Sequence, residues 1–467
     1  MPGILGLMSS ADLTSSMSQS SRREVFQRYP HGSFPLMGLC SLMESEETDK
    51  FKFGWYERRE VELYSKTVQS PVGTGNKGSF TNAANDTLHT DTGANFVAGT
   101  EYNVRVTADT AGRFRERDVI WIRNVPNGAA NALLQVYGRV TSINTTNHTV
   151  KFRATEGLTS VSGDTDTNAL DILVVGTATG EGDRSRSGSM ELPIEVENYT
   201  QIFRTAFDFT RNALKAGVKW DKTGVYKDTA KQNMLLHMEK LEKAALFGNR
   251  GVNTVTNDDG KSVPERLTGG MLWFLTQWEL GNTTNGGLFD YRPGSSNISS
   301  SAWDANDDKR ILTINGTLTV NQFDTIGERA FRHTGNTSFE KIVMCGNGFM
   351  AAFQQYCRLQ SIVMTKLDTK EEAYGMSIYR WTSPWGDLLF KTHPLLTQHA
   401  SFRNSAFILD VGSFKYIHAQ DADTVLLKNR QNNDTDGRKD EWMTEFGLEV
   451  HFPERHMFID NLTGIVA

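Results

Sequence analysis

The sequence predicts an α+β protein with a small all-β module inserted into it. Three observations carry that prediction. An apolar stripe at helical spacing runs through residues 224–247, five strand-like runs lie close together between 96 and 175, and the last hundred residues alternate short strands with turns. At ~150 residues per domain, a chain of this length holds two to three domains.

Composition narrows the class further. Glycine outnumbers proline 41 to 11, which favours turns and strands over long helical bundles. The 49 basic residues against 55 acidic ones give a net charge of -6, so the basic footprint of a sequence-reading nucleic-acid binder is missing. A container for a polyanion needs no such footprint. Cys40, Cys345 and Cys357 are too few for a disulfide framework and read as buried thiols of a chain made in a reducing cytosol. The first residues lack the basic-then-apolar order of a secretion signal, and no run approaches the ~18 apolar residues of a membrane span. No membrane partner is expected.

Taken in order, residues 1–47 are rich in Ser and Met and read as an arm, and the Met1 start reads as an untrimmed one. Across residues 48–68, Phe51, Phe53 and Trp55 alternate with Lys50, Lys52 and Gly54, predicting one long strand of roughly 70 Å at ~3.3 Å per residue. Such a strand suits a subunit that reaches over its neighbours. A polar loop leads into YNVRVTA, RDVIWIRN, LLQVYGRVTSI, HTVKFRAT and LDILVVG, a small barrel or sandwich. The composition shifts on either side mark 69–190 as an excursion from a parent domain. From Asn198 the pattern reads as helical, through YTQIFRTAFDFTRNALKAG into a helix over 224–247 of about 36 Å at ~1.5 Å per residue. Met234, Met238, Leu241 and Ala245 form its stripe, Glu239 and Lys243 pair on the wet side, and Gly248 caps it. Residues 250–310 read mostly as loop. Thr319 and Gln322 then form a capping box for a helix with Phe323, Ile326 and Ala330 inward. EKIVMCG reads as a buried strand, GFMAAFQQYCRLQ as a helix, and the remainder as strands.

Sequence patterns of catalysis are sparse. The P-loop, HExxH and GxSxG do not occur, and GTGNKG at Gly73–Gly78 lacks a following helix, so it reads as a flexible loop. CGNG at Cys345–Gly348 sits between strand and helix. It reads as a turn that needs Gly for its backbone conformation, with a phosphate cradle as the alternative. His393/His399 and His451/His456 read as hydrogen-bonded histidines rather than metal ligands. The acidic runs at 44–49 and 304–308 read as solvated loops, with Ca²⁺ sites as the alternative. Phe51, Phe53 and Trp55 either pack within their own chain or form an intersubunit seam. Arg58, Arg59, Arg184 and Arg186 are further candidates for contact with a neighbour.

Several runs together resemble a known family. KFKFGW at Lys50–Trp55, RDVIWIRN at Arg117–Asn124, TATGEG ending at Gly182, NYTQIFR at Asn198–Arg204, HMEKLEKAALFGN, GDLLFKTHPLL, FILDVGSFKYI and TEFGLEV follow the order seen in tailed-phage major capsid proteins with the Hong Kong 97 fold, in a short-tailed-phage-like group. The resemblance implies an arm (1–47), two extended-loop arms (48–68 and 176–197) and an inserted β-rich domain (69–175). It also implies a peripheral domain with a spine helix (198–265), an axial domain (266–375) and a strand-rich return (376–467). It implies self-assembly into hexamers and pentamers of an icosahedral head around double-stranded DNA, made in the bacterial cytoplasm, with portal, scaffold or decoration proteins as partners. It implies no enzymatic activity, cofactor, metal or catalytic residue. An encapsulin-like shell, a tail-associated carbohydrate-active enzyme and a tail or fibre protein are the alternatives.

Overall fold

The computed structural model describes residues 36, 45–58, 64–66, 80–82, 98–106, 111–126, 133–145, 148–157, 171–182, 193–215, 225–280, 309–334, 339–359, 365–366 and 378–466. The chain begins with β1 (Ser45–Thr48), β2 (Lys52–Glu57), β3 (Tyr64–Lys66) and β4 (Phe80–Asn82). Then come β5 (Glu101–Arg105), β6 (Asp118–Pro126), β7 (Leu133–Asn144), β8 (Thr149–Ala154) and β9 (Asp171–Thr177). β10 (Ile194–Tyr199), β11 (Gln201–Thr210) and the short α1 (Arg211–Lys215) lead to the long helix α2 (Val225–Phe247). A hairpin of β12 (Gly251–Thr256) and β13 (Ser262–Leu267) precedes α3 (Met271–Leu280), β14 (Ile311–Thr319), α4 (Val320–Phe331), β15 (Glu340–Cys345) and α5 (Asn347–Leu359). The last stretch holds β16 (Thr365–Lys366), β17 (Tyr379–Ser383), β18 (Gly386–Thr392), α6 (Pro394–Gln398) and β19 (Ala406–Leu409). β20 (Phe414–Ala419), β21 (Val425–Leu427), β22 (Gly437–Val450) and β23 (Met457–Val466) complete it.

These elements divide into two compact units. The first gathers Met1–Phe53, Asn198–Phe274 and Leu312–Ala467; the second gathers Gly54–Glu197 and Leu275–Ile311. In the first unit, one sheet runs in the order β1-β20-β22-β11, with β21 also paired to β22. β11 buries Phe203, Thr205 and Phe207 and exposes Ile202, Arg204, Ala206 and Asp208, the alternation of a half-buried strand. A second sheet runs β14-β23-β19-β15-β18-β17-β16. Its central β15 and β19 are buried almost throughout, as strands covered on both faces must be. Against it lies an aromatic cluster in which Phe353 stacks on Phe390 at 4.1 Å and meets Trp381 edge-on at 5.5 Å. Burying each such ring contributes roughly 1.5–3 kcal/mol. α4 starts on the expected capping box, with the Gln322 N–H donating to the Thr319 hydroxyl and the Gln322 side chain accepting from the Thr319 N–H.

The second unit is built on one seven-stranded sheet, β3-β9-β6-β7-β8-β5-β4. All five expected strands are present, and β3 and β4 extend the sheet at its two ends. Tyr102, Val104, Ile120, Ile122, Val136, Val140, Val150, Phe152 and Ile172 form one buried core. They occupy alternate positions, so a single face of the sheet curls over its own core. β2 and β10 pair as a separate two-stranded ladder.

Several expectations need correction. The acidic run at 44–49, read as a solvated loop, holds strand β1, paired in parallel with β20, and within the remainder read as strands Pro394–Gln398 form helix α6. Residues 198–210 are strands β10 and β11, not helix; the period-two burial of Phe203, Thr205 and Phe207 overrides the helix-forming composition. Within residues 250–310, read mostly as loop, β12, β13 and α3 are regular elements that the sequence did not signal, and 281–308 lie outside the described residues. The single strand over 48–68 is seen as β2 and β3, with 59–63 outside the described residues.

Candidate functional site

The run NYTQ at Asn198–Gln201 uses its polar side chains most fully. Asn198 is wholly buried. Its Nδ2 donates to the Leu448 carbonyl at 2.7 Å and the Gly269 carbonyl at 3.1 Å, while its Oδ1 accepts from the N–H groups of Gly269 and Tyr199, each at 2.9 Å. The Thr200 N–H donates to the Phe51 carbonyl at 3.0 Å and its hydroxyl to Glu445 Oε1 at 2.7 Å. Gln201 Oε1 accepts from the Thr268 N–H at 3.1 Å. These residues suture segments 245 and 250 positions away in the chain. An amide with both ends satisfied tolerates little displacement, because moving it strands several buried backbone groups.

Helix α2 carries a second polar set. His237 is wholly buried, with Nδ1 3.0 Å from Thr205 Oγ1 on β11 and Nε2 2.8 Å from Thr444 Oγ1 on β22. Burial, and then the nearby Lys240 ammonium, lower its pKa from 6.5 to about 4, so the ring is neutral at pH 7. Glu242 accepts from the Leu36 N–H at 2.8 Å and faces His393 Nε2 at 2.8 Å. His393 Nδ1 accepts from the Leu395 N–H at 3.2 Å as the cap of α6, which leaves the ring proton on Nε2 toward Glu242. Nearer the start of α2, the Tyr226 hydroxyl donates to Asp440, which also accepts from Arg438 Nε at 2.9 Å and the Asn429 N–H at 2.8 Å. Burial alone would raise the Asp440 carboxyl, but the hydrogen bonds from Arg438 and Tyr226 hold it below its usual value.

The sequence-predicted candidates are placed differently from one another. Phe51 is 53% exposed, with the Arg266 guanidinium 3.8 Å over its ring. Phe53 is half-buried beside Gly447, and Trp55 is buried with its Nε1 donating to Glu57 at 2.9 Å. Arg58 is exposed; Arg59, Arg184 and Arg186 lie outside the described residues. So do Cys40, GTGNKG and the acidic run at 304–308, whereas Glu46 pairs with Lys415 at 2.8 Å. Cys345 and Cys357 are buried, and burial pushes the Cys345 thiol up to about 12.

The CGNG turn has its amides committed. The Gly346 N–H donates to the Ser405 carbonyl, and those of Gly348 and Phe349 to the Arg403 carbonyl, at 3.0, 3.0 and 3.3 Å. They are engaged by the chain itself, not turned out to a phosphate. The glycines serve close approach rather than an unusual backbone conformation: a Cβ at Gly346 would collide with the Arg403 carbonyl, and one at Gly348 with Asn404. His451 contacts Glu449 at 2.6 Å, and buried His456 accepts from the Asp410 N–H at 3.2 Å. Among the described residues no three His, Cys, Asp or Glu side chains gather as a metal site would require. The sutures were not anticipated from the sequence; their signal is the unbroken polar run N-x-T-Q beside a strand that alternates Phe and polar residues.

A family model described as "SU10 major capsid protein" matches residues 19–463. A major capsid protein of Pseudomonas phage PaMx41 is 24% identical over 244 residues, 52% of this chain and 51% of that protein. The chain thus spans about half the length of that curated relative. Among solved structures, a Mycobacterium phage Bobi chain aligns over 99% of this chain and 100% of its own at 7% identity and a TM-score of 0.41. A Synechococcus elongatus encapsulin aligns over 59% and 77% at 11% identity and a TM-score of 0.36. This α+β chain, with its long helix and its β module carried between β2 and β10, is matched over nearly its whole length by a major capsid protein model, which defines its class. More narrowly, the chain belongs to the SU10 major capsid protein family.

Proposed function

We propose that this chain is the repeating subunit of an icosahedral phage head, closing into hexamers and pentamers that enclose double-stranded DNA. The family match over residues 19–463 carries the reading. In it, α2 and the sheet holding β11 and β22 form the peripheral domain, the sheet around β15 with α4 and α5 forms the axial domain, and β2 and β10 are the two arms of the extended loop. Phe51, Phe53, Trp55, Arg58, Arg59, Arg184 and Arg186 are the proposed points of contact with neighbours. The mechanism is association: heterologous contacts repeated around a ring close it, and extended arms add area to each contact. Portal, scaffold and decoration proteins complete the particle in this reading. The reading is supported by the effort spent fixing Asn198–Gln201, where the chain returns from the module, since a loop that bears load between copies needs a rigid root.

Negative-stain electron microscopy and sedimentation of the full chain expressed in bacteria test it. Shells, tubes or capsomer rings are the expected products. A monodisperse monomer that stays monomeric when the phage's other head proteins are supplied would refute it.

A further inference from the structure

We propose that the outer face of the β module in one copy docks on the β12–β13 hairpin of a second copy. The idea rests on the shell reading above and adds to it a specific pair of surfaces.

The module's outward face joins exposed rings to more basic than acidic groups, with Arg123, Arg139, Lys151 and Arg153 set against Asp171, opposite Arg123, and Glu101, opposite Arg153. Trp121 lies opposite Leu173 on β9 and Tyr137 on β7, and its ring stacks on Tyr137 at 6.0 Å with planes 8° apart. Leu173 and Tyr137 are 38% and 37% exposed. In the next row, Arg139 stands opposite Arg153, and like charges directly opposed in a sheet repel. Arg153 Nε donates to the Gly99 carbonyl at 2.7 Å, and Arg123 lies 4.9 Å over Trp121. Among the described residues none of these three guanidinium groups is paired with a carboxylate. A face that sets arginines beside exposed rings, against their mutual repulsion, suits an anionic and partly apolar occupant.

The hairpin offers that chemistry. Its strands pair only with each other, from Gly251 opposite Leu267 to Thr256 opposite Ser262, and nearly every residue is exposed. A two-stranded hairpin is marginal in water unless its side chains are covered. Val252, Val255 and Val263 are 49%, 44% and 37% exposed. Asp258, Asp259 and Glu265 stand against Lys261 and Arg266 along it, and the acidic pair Asp258 and Asp259 sits at the tip. The tip is held open to a partner by its own bonds: the Gly260 N–H donates to the Asn257 carbonyl at 2.8 Å and the Asp259 N–H to Asn257 Oδ1 at 2.7 Å. Each copy carries one exposed face on which arginines and rings prevail and one exposed hairpin with an acidic tip. That is the arrangement from which a head-to-tail contact repeats around a ring.

The test is a charge swap in the full chain. Arg139→Glu with Arg153→Glu, or Asp258→Lys with Asp259→Lys, should each lower particle yield by about tenfold or more, with unchanged thermal midpoints. Combining all four substitutions should restore most of the yield. Single sets that assemble normally, or a combined variant no better than either set, would overturn the pairing. A second measurement is independent of particle formation. Tyr137→Cys and Val255→Cys chains, mixed at high concentration under mild oxidation, should yield an intermolecular disulfide between those positions, mapped by mass spectrometry. If the unsubstituted chain makes no particle even with the phage's other head proteins supplied, the shell reading fails while this crosslink still decides the contact; its absence sinks the proposal.

Discussion

Replacing Asn198 by alanine isolates the suture that holds the root of the module. The variant removes five hydrogen bonds between 2.7 and 3.3 Å and leaves the Gly269 N–H and the Leu448 and Gly269 carbonyls buried without that partner. Each stranded group costs about 1–3 kcal/mol, less where neighbours relax, so the sum is about 3–5 kcal/mol. At about 2–4 °C per kcal/mol for a unit of this size, the thermal midpoint should fall by roughly 6–20 °C. Scanning calorimetry of the unassembled subunit resolves a change of that size. Asn198→Asp keeps the two accepted bonds but turns an acceptor toward two carbonyls, so it should be no better than alanine. A midpoint for either variant within about 2 °C of the unsubstituted chain would refute the claim that these bonds fix the segment.

Two more perturbations follow from the same packing. His237 and His456 have pKa values lowered from 6.5 to about 4 and about 3, in each case first by burial. The unfolded chain therefore binds more protons than the folded one at mildly acid pH. The stability these groups contribute is complete above pH 6.5 and is lost as pH falls toward 4, by up to about 3 kcal/mol for His237. His237→Gln should flatten that part of the midpoint-versus-pH curve, and an unchanged curve would count against a buried neutral ring. Gly346→Ala drives a methyl into the Arg403 carbonyl. It should lower the midpoint by at least as much as a typical overpacked core, about 1–3 kcal/mol, where a surface Gly→Ala would be neutral or better.

The parts that were legible in the sequence are those whose local pattern and tertiary role agree. α4 carries its own start signal in Thr319 and Gln322 and its own stripe in Phe323, Ile326 and Ala330. α2 is readable for the same reason, although its buried face also holds His237 and Glu242, which no hydrophobic pattern flags. The module's strands β6, β7 and β8 each alternate apolar and polar residues, so the period-two pattern marks them locally. β11 was misread because Arg, Ala and Gln lend it a helical composition, while its partner β22 lies more than two hundred residues later and imposes the extended form. The β12–β13 hairpin hides because its valines are spaced among Asn, Thr and Ser and face outward. In the CGNG turn, the need for glycine was visible but its cause was not, since the carbonyl that crowds Gly346 comes from residue 403.

The long-range pairing of β11 with β22 also sets an order of events on the ribosome. Strands β5 to β9 pair with neighbours close in sequence, so the module has all its partners once β9 has emerged. β11 and Asn198 must wait for residues 437–450, and β1 for β20. The first unit therefore stays incomplete, with a ten-residue edge unpaired, until β22 has been translated. Synthesis itself acts as a timer: the first unit gains its final pairing only once β22 has emerged, so a chain cut short before it carries the finished module beside an unfinished first unit.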